Sequence, residues 1–209
     1  MFWIENVPTT RQWSSSVILF LAALTIPAAA AARAADVPNA SHEKELLAVL
    51  RSSAPASEKA ITCKQLAIHG SPAAVRDLAP LLHDPQLASW ARIALEAIPG
   101  TAADEALRRA ADSLHGRALV GTINSIGVRR DTSAVKLLGA HLQDDESQVA
   151  SAAAVALGYI GNGPATRLLR QSLSGDSVEV RSAVVEGCVL CAERLVAAGK
   201  LGEAAAIYD

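Results

Sequence analysis

The chain has 209 residues, of which 51% are apolar and only 3% are aromatic, and its formal net charge is −2. About a fifth of the residues are alanine, the best helix former. A β-sandwich would need many more β-branched and aromatic residues, and a nucleic-acid-binding domain would carry a clustered excess of Lys and Arg. The composition therefore favours an all-α protein and argues against a nucleic-acid partner.

The first 35 residues have the pattern of a signal peptide. Arg11 precedes an apolar run over Val17–Ile26, and Ala32-Arg33-Ala34 then offers small residues at the positions that a signal peptidase recognises. We predict cleavage near Ala34 or Ala35 and export to the periplasm or the cell exterior. The run is short for a membrane span, so we expect no stable membrane insertion after cleavage. The alternative is an uncleaved N-terminal anchor, because the stretch before the run is long and contains Glu5.

Residues 36–56 follow as a polar lead-in and an N-terminal capping helix. The stretch 36–41 is polar, and Glu43–Arg51 has the apolar spacing of an amphipathic helix. We expect this helix to cover the end of the helical array behind it.

A repeat with a period near 30 residues occupies 57–191. The same second-helix ending recurs 32, 28 and 31 residues apart, in Leu82-His83-Asp84, Leu114-His115-Gly116, Leu142-Gln143-Asp144 and Leu173-Ser174-Gly175. Two apolar residues three apart and then glycine mark the first-helix endings at Leu66–Gly70, Leu95–Gly100, Ile123–Gly127 and Leu157–Gly161. Ser71-Pro72, Asp131 and Gly163-Pro164 offer N-terminal caps for the second helices. The pattern predicts about four helix pairs, each too small to bury its apolar face alone.

Two segments resemble the opening of a HEAT repeat. They are Asp176–Val184, with the repeat-opening arginine at Arg181, and Asp145–Gly158, where Ala150 stands at the matching position. The resemblance covers roughly 57–194 and implies an α-solenoid of stacked antiparallel helix pairs with a curved, extended surface. The alternative is an unrelated alanine-rich helical bundle.

The last segment, 192–209, is similar to the start of a tetratricopeptide hairpin. The spacing typical of that family is kept by a small residue, by the pairs Gly199-Lys200 and Glu203-Ala204, and by the aromatic Tyr208. Because solenoid ends need a polar capping face, we expect further chain or a second copy to cover this helix.

Three cysteines are the residues most suggestive of chemistry. Cys188 and Cys191 form a C-x-x-C pair in an apolar helix, which allows core packing, a local disulfide, or redox or metal chemistry. Residue 192 is Ala rather than His, which excludes covalent haem attachment. Cys63 also falls in the middle of a predicted helix, and we expect it to be buried.

The remaining polar and aromatic candidates have structural interpretations. We predict that His83, His115 and His141 end second helices, where they complement the helix dipole. Gly158–Gly163 has the wrong order for a phosphate loop and is predicted to be a turn. Trp90 is expected in the core or as an exposed anchor. Arg108-Arg109 and Arg129-Arg130 are interpreted as solvated faces, and His42 and His69 as isolated residues.

These patterns predict an exported, non-enzymatic HEAT-like scaffold that binds a protein partner. No catalytic, cofactor or metal residue can be assigned from spacing. Weak candidates for the binding surface lie along the second helices and their turns: Asp104, Arg108, Lys136, Arg167 and Arg170. The alternative is the non-catalytic N-terminal repeat region of a larger exported enzyme or cytochrome-type protein.

Overall fold

The protein is helical throughout the part of the chain that the structure describes. This structure, a computed structural model, covers residues 28–174 and 177–208, with side chains described from residue 40 onward. It contains eleven α-helices, three short 3-10 helices and, within those ranges, no β-strand. The all-α prediction is confirmed. The α-helices are α1 (Ala28–Arg51), α2 (Ala56–His69), α3 (Val75–Leu78), α4 (Ala88–Ala97), α5 (Thr101–Ala111), α6 (Gly116–Arg129), α7 (Val135–His141), α8 (Ser147–Ile160), α9 (Gly163–Gln171), α10 (Val178–Ala197) and α11 (Leu201–Tyr208).

The N-terminal helix begins earlier than predicted. The polar stretch 36–41 is helical, because α1 starts at Ala28 in an alanine-rich segment of high helix propensity. The predicted cleavage site near Ala34 or Ala35 falls inside α1, whereas the apolar run Val17–Ile26 lies outside the described residues. No helix in the described ranges is long and apolar enough to cross a membrane.

Side-chain caps begin several helices where the sequence predicts them. The Ser71 hydroxyl accepts a hydrogen bond from the N–H of Ala73 at 3.2 Å, and Asp131 accepts one from Ser133 at 3.0 Å. At Gly163-Pro164 the cap comes from the preceding residue, Asn162, whose side chain accepts from Ala165. These bonds use N–H groups that a helix leaves unpaired in its first turn.

One second helix is broken into short pieces. Residues 72–83 form a 3-10 turn (Pro72–Ala74), the single turn α3 and a second 3-10 helix (Ala79–His83). Pro80 lacks the N–H that an α-helix needs at that point, and its ring clashes with the preceding turn. The leucine spacing is kept, and Leu78 and Leu82 are buried.

Helices contact one another in two regular series. In this description the first-helix set is α2, α4, α6, α8 and α10, and each of its members packs on the next member. The second-helix set is α3, α5, α7, α9 and α11, of which the first four each pack on the first-set helix that follows in the chain. The C-terminal part of α1 packs on α2, with Leu46, Leu47 and Leu50 in the core.

Glycines allow the first-set helices to approach closely. A Cβ placed on Gly158 would lie 2.7 Å from the Cα of Gly187, and one on Gly127 would lie 2.9 Å from the Cα of Ala156. The prediction that Gly127 ends its helix is wrong, because this glycine lies inside α6 at a helix contact. The helix continues to Arg129, and Arg130 adopts the left-handed conformation at its C-terminus with φ 55°.

The predicted boundary between 191 and 192 falls inside a continuous helix. Buried residues recur at helical spacing from Ala183 through Cys188 and Cys191 to Ala192, so one apolar stripe crosses the boundary. At the far end, α11 packs on α10 through Ala204 and Ile207. Leu201 and Tyr208 on α11 are exposed, and the covering of this helix by further chain or a second copy stays a prediction.

The repeated helix ending is not uniform. Leu82, Leu114 and Leu142 are buried, whereas Leu173 is 37% exposed. Gly175 and Asp176, which belong to the fourth phrase and to the turn after it, lie outside the described residues.

Candidate functional site

The charged residues proposed for the binding surface separate into two groups. Asp104 forms an ion pair with Arg129, and Arg108 forms one with Asp131. Both pairs connect α5 to the end of α6 or to the turn after it. Asp104 and Arg108 are therefore engaged in ion pairs that hold neighbouring helices together, and they are not free charges.

Arg129 is a structural clamp rather than part of a solvated face. Its side chain is 9% exposed, and its guanidinium donates to the carbonyl oxygens of Leu95 and Ile98 at 2.7 Å. It also donates to Glu96 and Gly100. The carbonyls at a helix C-terminus have no partner within the helix, so this arginine satisfies the end of α4 from α6.

Lys136 on α7 and Arg167 on α9 lie along one groove. Both residues are exposed, and neither forms an ion pair with a described residue. The groove has a volume of about 520 Å³ and contains no carboxylate in its lining. Its other lining residues are Thr132, Ser133, Val135, Pro164, Leu168 and Gln171. Two unpaired cations, hydroxyl and amide groups and an apolar floor suit an anionic ligand that also carries apolar groups.

A neighbouring groove of about 510 Å³ lies between α5 and α7 and shares Lys136 and Ser133 with the first one. Its lining is mixed in charge, with Glu105 and Asp112 beside Arg108 and Arg109. The positive character is therefore concentrated between α7 and α9. We call the two grooves together the second-helix surface.

The sequence alone did not identify the groove between α7 and α9. It proposed Lys136 and Arg167, which the structure brings together, and Arg170, which lines neither groove and lies close enough to Cys188 to affect its thiol. Thr132 and Ser133 were missed, because their place in the sequence indicates a helix start.

Two of the three predicted helix-end histidines end helices. His83 is the last residue of its 3-10 helix and pairs with the Ser113 hydroxyl at 3.1 Å, and His141 ends α7. The third prediction is wrong: His115 is the N-cap residue of α6, at the positive end of the helix dipole.

The N–H of Glu146 and, to a smaller extent, His141 lower the pKa of Asp144, which accepts a bond from the His141 ring at 3.2 Å.

The three cysteines are buried free thiols. Burial raises the pKa of Cys63 to about 11 and also raises the pKa values of Cys188 and Cys191. The thiolate is the reactive form, so these side chains are protonated and unreactive near neutral pH. Their positions agree with the core-packing interpretation.

The other singled-out residues have local roles. Trp90 is partly buried and packs against the core. Gly161, within the Gly158–Gly163 segment, is the left-handed C-cap of α8, as a turn requires. The rings of His42 and His69 meet edge to face at a centroid distance of 5.1 Å, so these two are not isolated.

No group of three or more His, Cys, Asp or Glu side chains in the described part of the chain is arranged to hold a metal ion. The sequence matches no known protein-family model, and no curated protein is significantly similar to it.

Proposed function

We propose that the protein is an exported, non-enzymatic scaffold built as a HEAT-like solenoid of stacked helix pairs. The two contact series support this arrangement, because each first-set helix packs on the next and each second-set helix from α3 to α9 packs on the first-set helix after it. Stacked pairs of this kind create extended surfaces for binding other proteins. Export rests on the pattern of residues 1–35.

The second-helix surface is the proposed binding site. One observation carries this proposal. Lys136 and Arg167 are exposed, have no ionic partner among the described residues, and lie beside the partly buried Leu168. A protein partner with two or more carboxylates around an apolar side chain would complement it in charge and in polarity. Asp104 lines neither groove, and Arg108, which lines the groove between α5 and α7, is engaged in an internal ion pair.

A non-enzymatic role agrees with the state of the reactive residue types. The thiols are buried with raised pKa values, and His83 and His141 are bonded to neighbouring polar groups. The cysteines in particular pack in the core, which supports the proposal.

The proposal is tested with the charge-reversal variant Lys136→Glu/Arg167→Glu. Partners are captured from extracts of the native source with the wild-type chain, and a purified candidate is then titrated calorimetrically against both proteins. We expect the reversal to weaken binding by about tenfold or more, which corresponds to about 1.4 kcal/mol. Lys64→Glu, an exposed change on α2, is the matched control and should alter affinity less than about twofold. Equal binding by the wild type and the double variant would overturn the proposed site.

A further inference from the structure

A third groove lies on the opposite set of helices, between α6, α8 and α10. It has a volume of about 630 Å³, and its lining combines polar side chains from all three helices with apolar ones such as Val120, Val155 and Val178. Glu179 and Glu186 on α10 are exposed carboxylates, neither of which forms an ion pair with a described residue. Asn124 and Gln148 supply amides, and no basic side chain contributes to the lining.

The helices that form this groove share a register that α4 also follows. The N-cap residues of α6, α8 and α10 are His115, Glu146 and Ser177, spaced 31 residues apart, and the N-cap of α4 is Leu87. Residues at the same distance from their N-cap therefore occupy corresponding positions in α4, α6, α8 and α10.

On α4, which precedes these helices in the series, the fifth residue after the N-cap is Arg92. Arg92 on α4 lies directly over Gly121 on α6: a Cβ placed on Gly121 would be 2.5 Å from the guanidinium carbon. Burial lowers the pKa of this guanidinium, and the nearby Glu96 carboxylate opposes that effect. The chain therefore places a cation over a small residue on the next helix, beside a glutamate four residues along its own helix.

In the groove, the matching fifth positions are occupied by shorter side chains. Val120, Ser151 and Ser182 stand where α4 has Arg92, and Ala152 and Ala183 stand where α6 has Gly121. The carboxylate of Glu96 recurs as Glu186 on α10. The space that Arg92 fills between α4 and α6 is open in the groove between α6, α8 and α10. The carboxylate of Glu186 is present there as an acidic partner for a cation.

A buried hydroxyl also lacks a partner at this place. The Ser151 oxygen is inaccessible to solvent and forms no hydrogen bond in the described structure, although Ser151 lines the groove. A buried polar atom without a partner is costly, and rotation of the Ser151 side chain to another rotamer that faces the groove would let a ligand group bond to this hydroxyl.

We propose that this groove binds a peptide segment of a partner protein that carries arginine or lysine. The cationic group lies over Ala183, as Arg92 lies over Gly121, and it faces Glu186, which is three residues further along α10. The acidic partner thus comes from the helix beneath the cation, whereas Glu96 is on the same helix as Arg92. Because Glu179 and Glu186 are two helical turns apart, about 10.5 Å along the axis, the groove accommodates a second cation three residues along a peptide in the polyproline II conformation, in which residues three apart share one face and are separated by about 9.3 Å. The amides of Asn124 and Gln148 are placed to bond the peptide backbone between the two cations.

The test uses the full chain and a fluorescein-labelled peptide, Ala-Arg-Val-Ala-Arg-Ala amide, in anisotropy titrations. We expect saturable binding that weakens about tenfold when citrulline replaces both arginines, because citrulline keeps the shape and loses the charge. The variant Glu179→Gln/Glu186→Gln should weaken binding of the arginine peptide by a similar factor. Glu193→Gln, an exposed change on α10 outside the groove, is the matched control and should leave affinity within about twofold.

A gain-of-charge variant keeps the test independent of folding defects. Ser182→Arg puts a guanidinium at the position that matches Arg92, on an exposed site three residues after Glu179 and four before Glu186. It should block the peptide while the thermal unfolding midpoint stays unchanged. Lys136→Glu/Arg167→Glu should leave peptide binding unaltered, which separates this groove from the second-helix surface. Equal binding of the arginine and citrulline peptides, equal losses in Glu193→Gln and the groove variant, or full binding by Ser182→Arg would each overturn the proposal.

Discussion

Arg129 shows how one side chain connects two helices at the scale of a residue. It reaches from α6 to three carbonyl oxygens at the end of α4 and to that of Gly100, the N-cap of α5, and it pairs with Asp104 on α5. Arg194 on α10 repeats part of this arrangement, since its guanidinium donates to the carbonyl of Tyr159 at the end of α8 at 2.9 Å. Arginine suits this position because several donors of its planar head can be used at once.

We expect Arg129→Ala to lower the free energy of unfolding by about 2–4 kcal/mol. The substitution leaves the Asp104 carboxylate and several carbonyls without their donor in a mostly buried place. Urea denaturation followed by circular dichroism gives the value. Arg117→Ala removes an exposed arginine from the same helix, without a hydrogen bond to described residues, and should change stability by less than about 0.5 kcal/mol. Equal losses in the two variants would contradict a clamping role for Arg129.

Backbone proximity governs the contact between α8 and α10 at the scale of an element. Gly158 meets the backbone of Gly187, and Gly187 in turn lies against the carbonyl of Ala154, where an added Cβ would be 2.6 Å from the oxygen. Glycine normally weakens a helix by close to 1 kcal/mol relative to alanine, so its presence here is explained by the contact and not by propensity.

Gly158→Ala should therefore destabilise the protein by about 1–3 kcal/mol, because the new methyl group forces the two helices apart. Gly202 on α11 is the matched control, since nothing lies within 4 Å of an added Cβ there. Gly202→Ala should raise stability by up to about 1 kcal/mol through helix propensity alone. Thermal and urea unfolding of both variants distinguish the two effects; a stabilised Gly158→Ala protein would show that the helices are free to separate.

A comparison of α6 with α8 shows why helix endings were only partly predictable from the sequence. Ile123–Gly127 and Leu157–Gly161 have similar local sequences, yet Gly161 ends α8 and Gly127 lies inside α6. Gly127 lies against Ala156, a residue distant in sequence, and the local pattern contains no sign of this contact. Likewise, spacing indicated that Arg108 and Lys136 are both free surface charges, but Arg108 is paired with Asp131, 23 residues away, whereas Lys136 has no described ionic partner. Caps and apolar spacing were predictable because their partners are local.

Stability should be distributed unevenly at the scale of the whole molecule. The helix α8 packs against α6, α7, α9 and α10, whereas α11 has α10 as its main contact and buries only Ala204 and Ile207. Elements with few buried contacts open at lower free energy than central ones.

Amide hydrogen exchange tests this distribution. We expect the amides in the middle of α8 to exchange at least about 100-fold more slowly than those of α11, because α8 opens only when its neighbours on several sides separate. Exchange measured by mass spectrometry on peptides from both helices gives the ratio at neutral pH. Protection of α11 equal to that of α8 would mean that the array opens as one unit.

The small residues of α8 have a further consequence for the cost of ordering this helix. Ala152, Ala153, Ala154, Ala156 and Gly158 are buried, and none of them has a side-chain torsion that restricts heavy atoms. Burying such residues forfeits almost no rotamer entropy, whereas a long flexible side chain forfeits up to about 2 kcal/mol. The centre of the molecule is thus ordered chiefly at the expense of backbone freedom, so its fit to the neighbouring helices depends on where the main chain runs.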